Sequence, residues 1–324
     1  MTALPKLDGV DFRMFRGSAD YPGLARIITA SARGEGDERV ETPEAIASAY
    51  DHLDRCDLIR DLLVAEVDGV PVAYSRVWWD DEVDGRVYKL VGFVDPAHGG
   101  RGIGRTLLGW NEARLREIAA DHDVSTKLVQ AFVGDANEAA TELICDAGYE
   151  PVTYMAEMLR PTVDDLPDHP LPEGLEIRPV REEDIRTIWD ADMEAFKDHW
   201  GYVEPTETEY ERFRAYPYLD PALWKIAWDD EGVAGQVKSF IDTAQNEAHG
   251  RKRGWTEQIS TARRWRRRGV AKALIVESIR ELAARGMTEV ALGVHTENPT
   301  GAYQLYQSLG YEVSRTWTTY RKPL

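Results

Sequence analysis

Short apolar runs at 61–67 and 70–76 flank the dipeptide Asp68-Gly69, a combination that predicts two strands joined by a tight turn. The second half of the chain repeats the pattern, with an apolar run from Trp224 leading through Gly232 into Val233–Phe240. Further along each half, a glycine turn opens a helix: Gly102-Ile-Gly-Arg-Thr-Leu-Leu108 in the first and Gly269-Val-Ala-Lys-Ala-Leu-Ile275 in the second. The second helix carries Leu274, Ile275, Ile279, Leu282 and Ala283 at helical spacing and is expected to stop at Gly286. Glu289–His295 then reads as a buried strand, and Asn298 to Tyr311 as a turn and a short helix. The first half has the same succession in Lys127–Val133 and in Asn137 to Tyr149.

The offsets between matching positions are 163 for Gly69 and Gly232, 167 for Gly102 and Gly269, and 162 for Gly148 and Gly310. Such agreement marks an internal repeat. Between the halves, Pro161–Pro172 holds four prolines, which cannot continue a helix and keep the chain extended. The expected organisation is therefore a domain over 1–160, a Pro-rich linker over 161–172 and a second domain over 173–324.

A length of 324 residues with 43% hydrophobic content suffices for two ordinary cores. No apolar run is long enough to span a bilayer, and Met1–Val10 lacks a basic start followed by an apolar stretch, so a cytoplasmic protein without a membrane partner is expected. Cys56 and Cys145 are too few for a disulfide framework or a cysteine-based zinc site, and the seven histidines show no paired ligand spacing, so no metal is expected. The net charge of −18 argues against nucleic acid as a partner; it serves solubility or steers cationic ligands.

Arg266-Arg-Arg-Gly-Val-Ala271 follows a strand and opens a helix, where free backbone N–H groups and the positive end of the helix dipole favour an anion. Glycine at 269 and the small Ala271 allow close approach of a phosphate. The run resembles the Arg/Gln-x-x-Gly-x-Gly/Ala pattern of the GNAT acetyltransferases, and Asn298, Leu305, Tyr306, Gly310 and Tyr311 stand where that family has its Asn and Leu-Tyr-x-x-x-Gly-Phe/Tyr. The element order extends the likeness to both halves, and the tandem plan resembles that of the mycothiol synthases, a branch of the family that acetylates a cysteinyl amine. The resemblance implies an α+β fold of two GNAT-like domains in tandem, each a mixed twisted sheet flanked by helices. It further implies acetyl-CoA as co-substrate and a small-molecule primary amine as acceptor. Two such domains in one chain can replace a dimer interface, so a monomer or a homodimer is expected.

Acetyl transfer from a thioester to an amine requires a neutral amine, a stabilised oxyanion and a proton for the departing thiolate. Glu257, on the strand feeding the turn, is the candidate base; alternation places it on one face with Trp255 and Ile259, and the bland reading is a strand carboxylate facing solvent. Tyr306 is the candidate acid, because a phenol of ordinary pKa about 10 can donate to a thiolate; otherwise it packs a short helix on the sheet. Ile259, Thr261, Arg266, Arg267, Arg268, Gly269, Val270, Ala271 and Asn298 are the expected co-substrate contacts of the second half, with Asn298 holding the pantetheine arm or capping the next helix. A backbone N–H near Ile259 or Ser260 would hold the oxyanion. The arginines around Trp265 are better explained by the phosphates of CoA than by nucleic acid. His199, Trp200 and Trp255 are expected to shape the acceptor pocket, or, for His199, to pack among aromatics.

In the first half, Leu90 stands opposite Glu257 and Ile144 opposite Tyr306, so both candidate catalytic positions are apolar. Its turn, Gly99-Gly-Arg-Gly-Ile-Gly104, keeps Gly102 and Gly104 but has glycine where the family has Arg or Gln. A degenerate domain is expected, either structural or a CoA site. The alternatives to an acetyltransferase are a CoA-sensing or scaffold protein and an enzyme that uses another acyl-CoA.

Overall fold

A computed structural model describes residues 2–82, 85–297 and 301–324. The chain packs as two compact units, and the division does not follow the proline-rich segment. The first unit takes residues 1–154, 206–217 and 317–324; the second takes 155–205 and 218–316.

In the first unit, β1 (Asp11–Met14), β2 (Leu62–Val67), β3 (Val70–Glu82) and β4 (Gly85–Val94) form an antiparallel meander. The β2–β3 turn has Asp68 at φ 51° and Gly69 at φ 75°, the two positive angles that a two-residue hairpin turn needs. α4 (Ile103–Ala120) then crosses over to β5 (Lys127–Gly134), which runs parallel to β4. On one face, Leu24, Ile27 and Ile28 of α1 (Tyr21–Gly34) and Ile46 and Tyr50 of α2 (Pro43–Tyr50) pack on Leu62, Val64 and Tyr74. Leu108 and Leu115 of α4 and Ile144 of α5 (Glu138–Asp146) cover the other, against Val77, Leu90 and Val129. The short α3 (Leu58–Asp61) leads into β2.

The second unit repeats this plan with β7 (Glu176–Ile177), β8 (Lys225–Asp229), β9 (Gly232–Phe240), β10 (Arg253–Thr261) and β11 (Glu289–His295), where only β10 and β11 are parallel. α6 (Ile185–Phe196) lies on one face of the sheet, and α9 (Val270–Ala284) and α10 (Ala302–Gln307) lie on the other. The apolar stripe expected for α9 is its buried face, and the helix ends before Gly286 at φ 83°. α8 (Thr243–His249) occupies the β9–β10 connection.

The last strand of each sheet comes from the other half of the chain. β6 (Glu150–Arg160) pairs its residues 155–160 with β11, while β12 (Glu312–Pro323) pairs its residues 317–323 with β5. Ala156 and Met158 thereby fill the second core and Tyr320 the first. α7 (Glu207–Arg214), closed by a reciprocal cap between Thr206 and Glu209, belongs to the first unit, where Ser48 donates to the Ala215 carbonyl at 2.9 Å. Packing thus departs from the expected boundaries at 160 and 173, because strand pairing joins residues distant in sequence. The segment expected to be a linker is no free tether either. Val163, Leu166 and Leu171 pack on the second core, and Arg160 donates to the Leu309 carbonyl at 2.8 Å and the Asp164 carbonyl at 2.6 Å.

Candidate active site

β10 and β11 stay paired only from Arg253 to Trp255 and then separate. Beyond the last pair, the Glu257 carboxylate reaches into the gap and accepts the Gly293 N–H at 2.7 Å. On its other side, β10 loses register with β9 between Glu257 and Ser260, where Gln258 adopts φ 47°. A bulge of this kind takes a residue out of the ladder and re-aims the side chains after it. Ile259 consequently turns toward the core under α9, while Ser260 joins the Glu257 face, so alternation does not carry from Trp255 and Glu257 to Ile259 as expected. Trp255 stacks on Phe240 with ring centroids 5.8 Å apart.

Burial pushes the Glu257 carboxyl up to about 7; the Glu157 charge adds to this, and hydrogen bonds from the Gly293 and Gln258 backbones work against it. The nearest cation in register, Lys238 on β9, does not offset the burial because its charge is already answered. Lys238 Nζ lies 2.8 Å from Asp192 on α6, both fully buried, and Asp192 also accepts from Ser260 Oγ at 2.6 Å and Gln236 Nε2 at 3.1 Å. Asp192 ties the strand just past the bulge to α6 and leaves Glu257 without a cationic partner among the described residues. The sequence reading missed this pair. Its signal was an acid on the apolar stripe Ile185, Ile188, Trp189, Asp192, Ala195 and a lysine inside an apolar strand, two opposite charges placed to be buried.

Tyr306 on α10 is buried against Tyr311, ring centroids 6.2 Å apart, and burial together with the Glu257 charge raises its phenol above the ordinary value. It stays protonated and close enough to Glu257 to feel its charge. His199 and Trp200 follow α6 as expected. Trp200 is exposed and lies 6.2 Å from the ring of His295, a residue the sequence reading passed over; burial lowers the pKa of His295, and burial plus the His295 charge lowers that of His199. His199 packs on Phe196 at 4.3 Å. Leu292 and Val294 face the core, so strand alternation puts His295 on the same face as Gly293, whose N–H holds Glu257.

At the turn after β10, Arg267 has φ 61° and Gly269 φ 84°, and α9 starts with no side chain capping its first N–H groups. Gly269 is required by this left-handed angle; a Cβ there would meet no atom within 4 Å. Arg266 is already engaged, donating to Asp198 at 2.7 Å and to the Ala195 carbonyl at 3.0 Å. Arg263 and Arg264 are likewise held, by Asp198 and Asp229. Arg267 and Arg268 are exposed and have no carboxylate partner among the described residues, with Arg268 over the Trp265 ring at 4.9 Å. Val270 is buried against Gly235, Ala271 is half-buried in the first turn of α9, and Thr261 closes β10, its carbonyl accepting from Arg266 at 3.3 Å. Asn298 lies outside the described residues. In the first unit, Gly102 has φ 82° at the start of α4, and Gly104 sits within that helix against Leu143. Among the described residues, no group of three His, Cys, Asp or Glu side chains is placed to hold a metal ion, and no helix is long and apolar enough to cross a membrane.

A separated pair of parallel strands, with a bulge beside it and an uncapped helix start below, is what the acyl-CoA acetyltransferases would need. The Acetyltransferase (GNAT) family profile matches residues 29–149 and 184–311. The chain belongs to this family. It is a tandem GNAT acetyltransferase, from a family that uses acyl-CoA co-substrates and acts on small-molecule or amine acceptors. It is 28% identical over 304 residues, 90% of this chain and 91% of the relative, to a mycothiol acetyltransferase of Salinispora arenicola (strain CNS-205). Among solved structures, a GCN5-related N-acetyltransferase from Sphaerobacter thermophilus superposes with TM-score 0.74 at 28% identity, covering 99% of this chain and 97% of that one. A tandem GNAT protein from the clavulanic acid biosynthesis pathway shares the fold at TM-score 0.65 and 14% identity, covering 97% of this chain and 98% of its own.

Proposed function

We propose that the second unit transfers an acetyl group from acetyl-CoA to the primary amine of a small molecule by direct attack, with Glu257 as general base and Tyr306 as general acid. The observation that carries this reading is the Glu257 carboxylate in the opening between β10 and β11, held by Gly293 N–H at 2.7 Å and titrating at about 7. An alkylammonium of pKa about 10 is mostly protonated at neutral pH, and a base poised near 7 accepts its proton directly or through one water. The free amine lone pair then forms a bond to the thioester carbonyl carbon. As the resulting tetrahedral oxyanion collapses, the C–S bond breaks, the thiolate takes its proton from the Tyr306 hydroxyl, and the extra proton on the attacking nitrogen returns through solvent to the Tyr306 oxygen, leaving the neutral amide and CoA thiol. A backbone N–H released from the ladder by the bulge, near Ile259 or Ser260, would stabilise the oxyanion. The free N–H groups of the Arg267–Ala271 turn, with Arg267 and Arg268, suit the pyrophosphate of CoA.

The decisive experiment measures CoA release from acetyl-CoA against an amine panel that includes deacetylated mycothiol, which the relatives' name puts first, with products identified by mass. Turnover that depends on the amine and collapses in Glu257→Gln and Tyr306→Phe supports the assignment. Binding of acetyl-CoA without turnover on any amine would replace it with a sensor. Faster turnover with a longer acyl-CoA would overturn the choice of donor alone.

A further inference from the structure

The first unit holds a half-buried cation with two shielded donors and no carboxylate partner among the described residues. Arg76 lies on β3 opposite Leu62 of β2, on the sheet face under α1 and α2. Its guanidinium sits 4.4 Å from the Trp78 ring and 4.9 Å from the Tyr50 ring. Nε and Nη1 are both buried and make no hydrogen bond to nitrogen or oxygen among the described residues; the Cys56 thiol is the polar group that reaches the guanidinium. Donors shielded from water and left empty are costly, and native proteins rarely keep them without a partner.

The groups around it cannot supply that charge. α1 contains no Asp or Glu, and the one acid of α2, Glu44, is exposed. Of the carboxylates nearby, Asp61 is taken by Arg114 at 2.8 Å and by the Asp57 N–H at 2.7 Å, Asp57 caps Ile59 N–H at 3.1 Å, and Glu41 pairs with Arg39. Tyr50 and Tyr74 share a hydroxyl hydrogen bond at 3.2 Å, and burial holds the Tyr74 phenol well above its ordinary range. The Cys56 thiol, beside Arg76, is pushed up to about 11 by burial in spite of that charge. Tyr74 and Cys56 stay neutral at physiological pH. In the second unit, the buried cation on the matching strand, Lys238, is answered by Asp192. In the first, α1 has no acid to do so.

We propose that Arg76, flanked by Tyr50 and Trp78, is the anchor of a binding site for a small carboxylate on the α1–α2 face of the first unit. With Arg39 and Arg114 already paired, one positive charge remains, which one carboxylate balances and a dianionic phosphate exceeds. Both rings lie within 5 Å of the guanidinium carbon, and a carboxylate can meet a guanidinium through two parallel N–H donors. The first unit then has a ligand of its own, distinct from acyl-CoA and from the acceptor amine.

The test titrates the full chain with sodium benzoate, and separately with sodium phosphate, at fixed ionic strength by calorimetry. Saturable benzoate binding is expected in the wild type and in Arg116→Gln, an exposed arginine of α4, and weakening by at least about tenfold in Arg76→Gln, as for loss of a charged hydrogen-bond pair. Equal affinity in wild type and Arg76→Gln would overturn the site, and tighter binding of phosphate than benzoate would overturn the carboxylate assignment. Should Arg76→Gln fail to fold, the wild-type chain labelled with ¹⁵N-arginine decides. The Arg76 Nε–H resonance, assigned by its absence in Arg76→Lys, must shift on benzoate addition, and an unmoved resonance overturns the proposal.

Discussion

The two units share a backbone and differ in the opening of their sheets. At the turn before the long helix, Gly100 and Gly102 of the first unit have φ 71° and 82°, and Arg267 and Gly269 of the second have 61° and 84°. The same left-handed turn is therefore built twice, once with glycine and once with arginine at its first position. The sheets diverge above it. In the first unit, β4 and β5 remain paired through Leu90 and Ala131, and β3 and β4 keep register throughout. In the second, the parallel pair opens after Trp255, and a bulge displaces the next residues. Leu90 fills the first core on the α4 face, whereas Glu257, its counterpart by sequence offset, lies on the opposite face beside Lys238, because the bulge adds a residue to β10, and accepts a strand N–H in the gap. The repeated turn keeps its left-handed shape in both units, and the strands separate beside Glu257 in the second, where we place the proposed chemistry.

Exchanging side chains at matched positions tests this contrast most directly. Glu257→Gln is expected to lower kcat by about 10²–10⁴, the loss typical of a positioned general base. Leu90→Gln should leave kcat within about threefold and instead cost roughly 2–3 kcal/mol of stability, through an unsatisfied amide in the first core. Steady-state kinetics beside urea unfolding separates the two, and a comparable kcat loss from Leu90→Gln would break the comparison.

The next effect concerns the buried pair that distinguishes the second unit. Asp192→Ala should destabilise by about 3–5 kcal/mol, because Lys238 would remain buried without its carboxylate. The surviving protein should also show its kcat/KM pH profile displaced below 7, since a free Lys238 cation would favour ionised Glu257. An unchanged profile would mean that Asp192 only supports the fold.

For the wild type, kcat/KM should climb about tenfold per pH unit below 7 and level off above it, and Glu257→Gln should abolish that limb. Stability has the opposite sign. The folded-state value of Glu257 lies above the ordinary 4.5, so the fold binds the extra proton between these values and loses stability as pH rises through that window. At pH 8, Glu257→Gln is expected to be more stable than the wild type by about 1–3 kcal/mol, after allowance for partial solvent screening. Thermal unfolding at pH 4 and pH 8 reads this as a gap that opens only at the higher pH.

The smallest effect sharpens the likeness of the turns. Gly102→Ala and Gly269→Ala should each cost about 1–2 kcal/mol for a Cβ in the left-handed region. Only Gly269→Ala should also raise KM for acetyl-CoA, measured with the acceptor saturating. A matching effect on KM from Gly102→Ala would show that the first turn takes part in turnover.

Local pattern determined the repeated elements of this protein. Apolar runs and turn residues placed the hairpins at Asp68-Gly69 and Gly232, α9 with its stop at Gly286, and the strand at Glu289–His295, because backbone propensity and periodic burial act over a few residues. The phosphate-type turn was equally legible, since its shape depends on its own glycines. Tertiary structure alone decided which strand completes each sheet, because the edges of β5 and β11 accept any strand that brings complementary apolar residues, and β12 and β6 do so from the opposite halves of the chain. It also decided the face of Ile259, which a one-residue bulge reverses, and the proton affinity of Glu257. That affinity depends on the separation of two strands and on Lys238 being committed to Asp192 from another helix, relations between residues far apart along the chain.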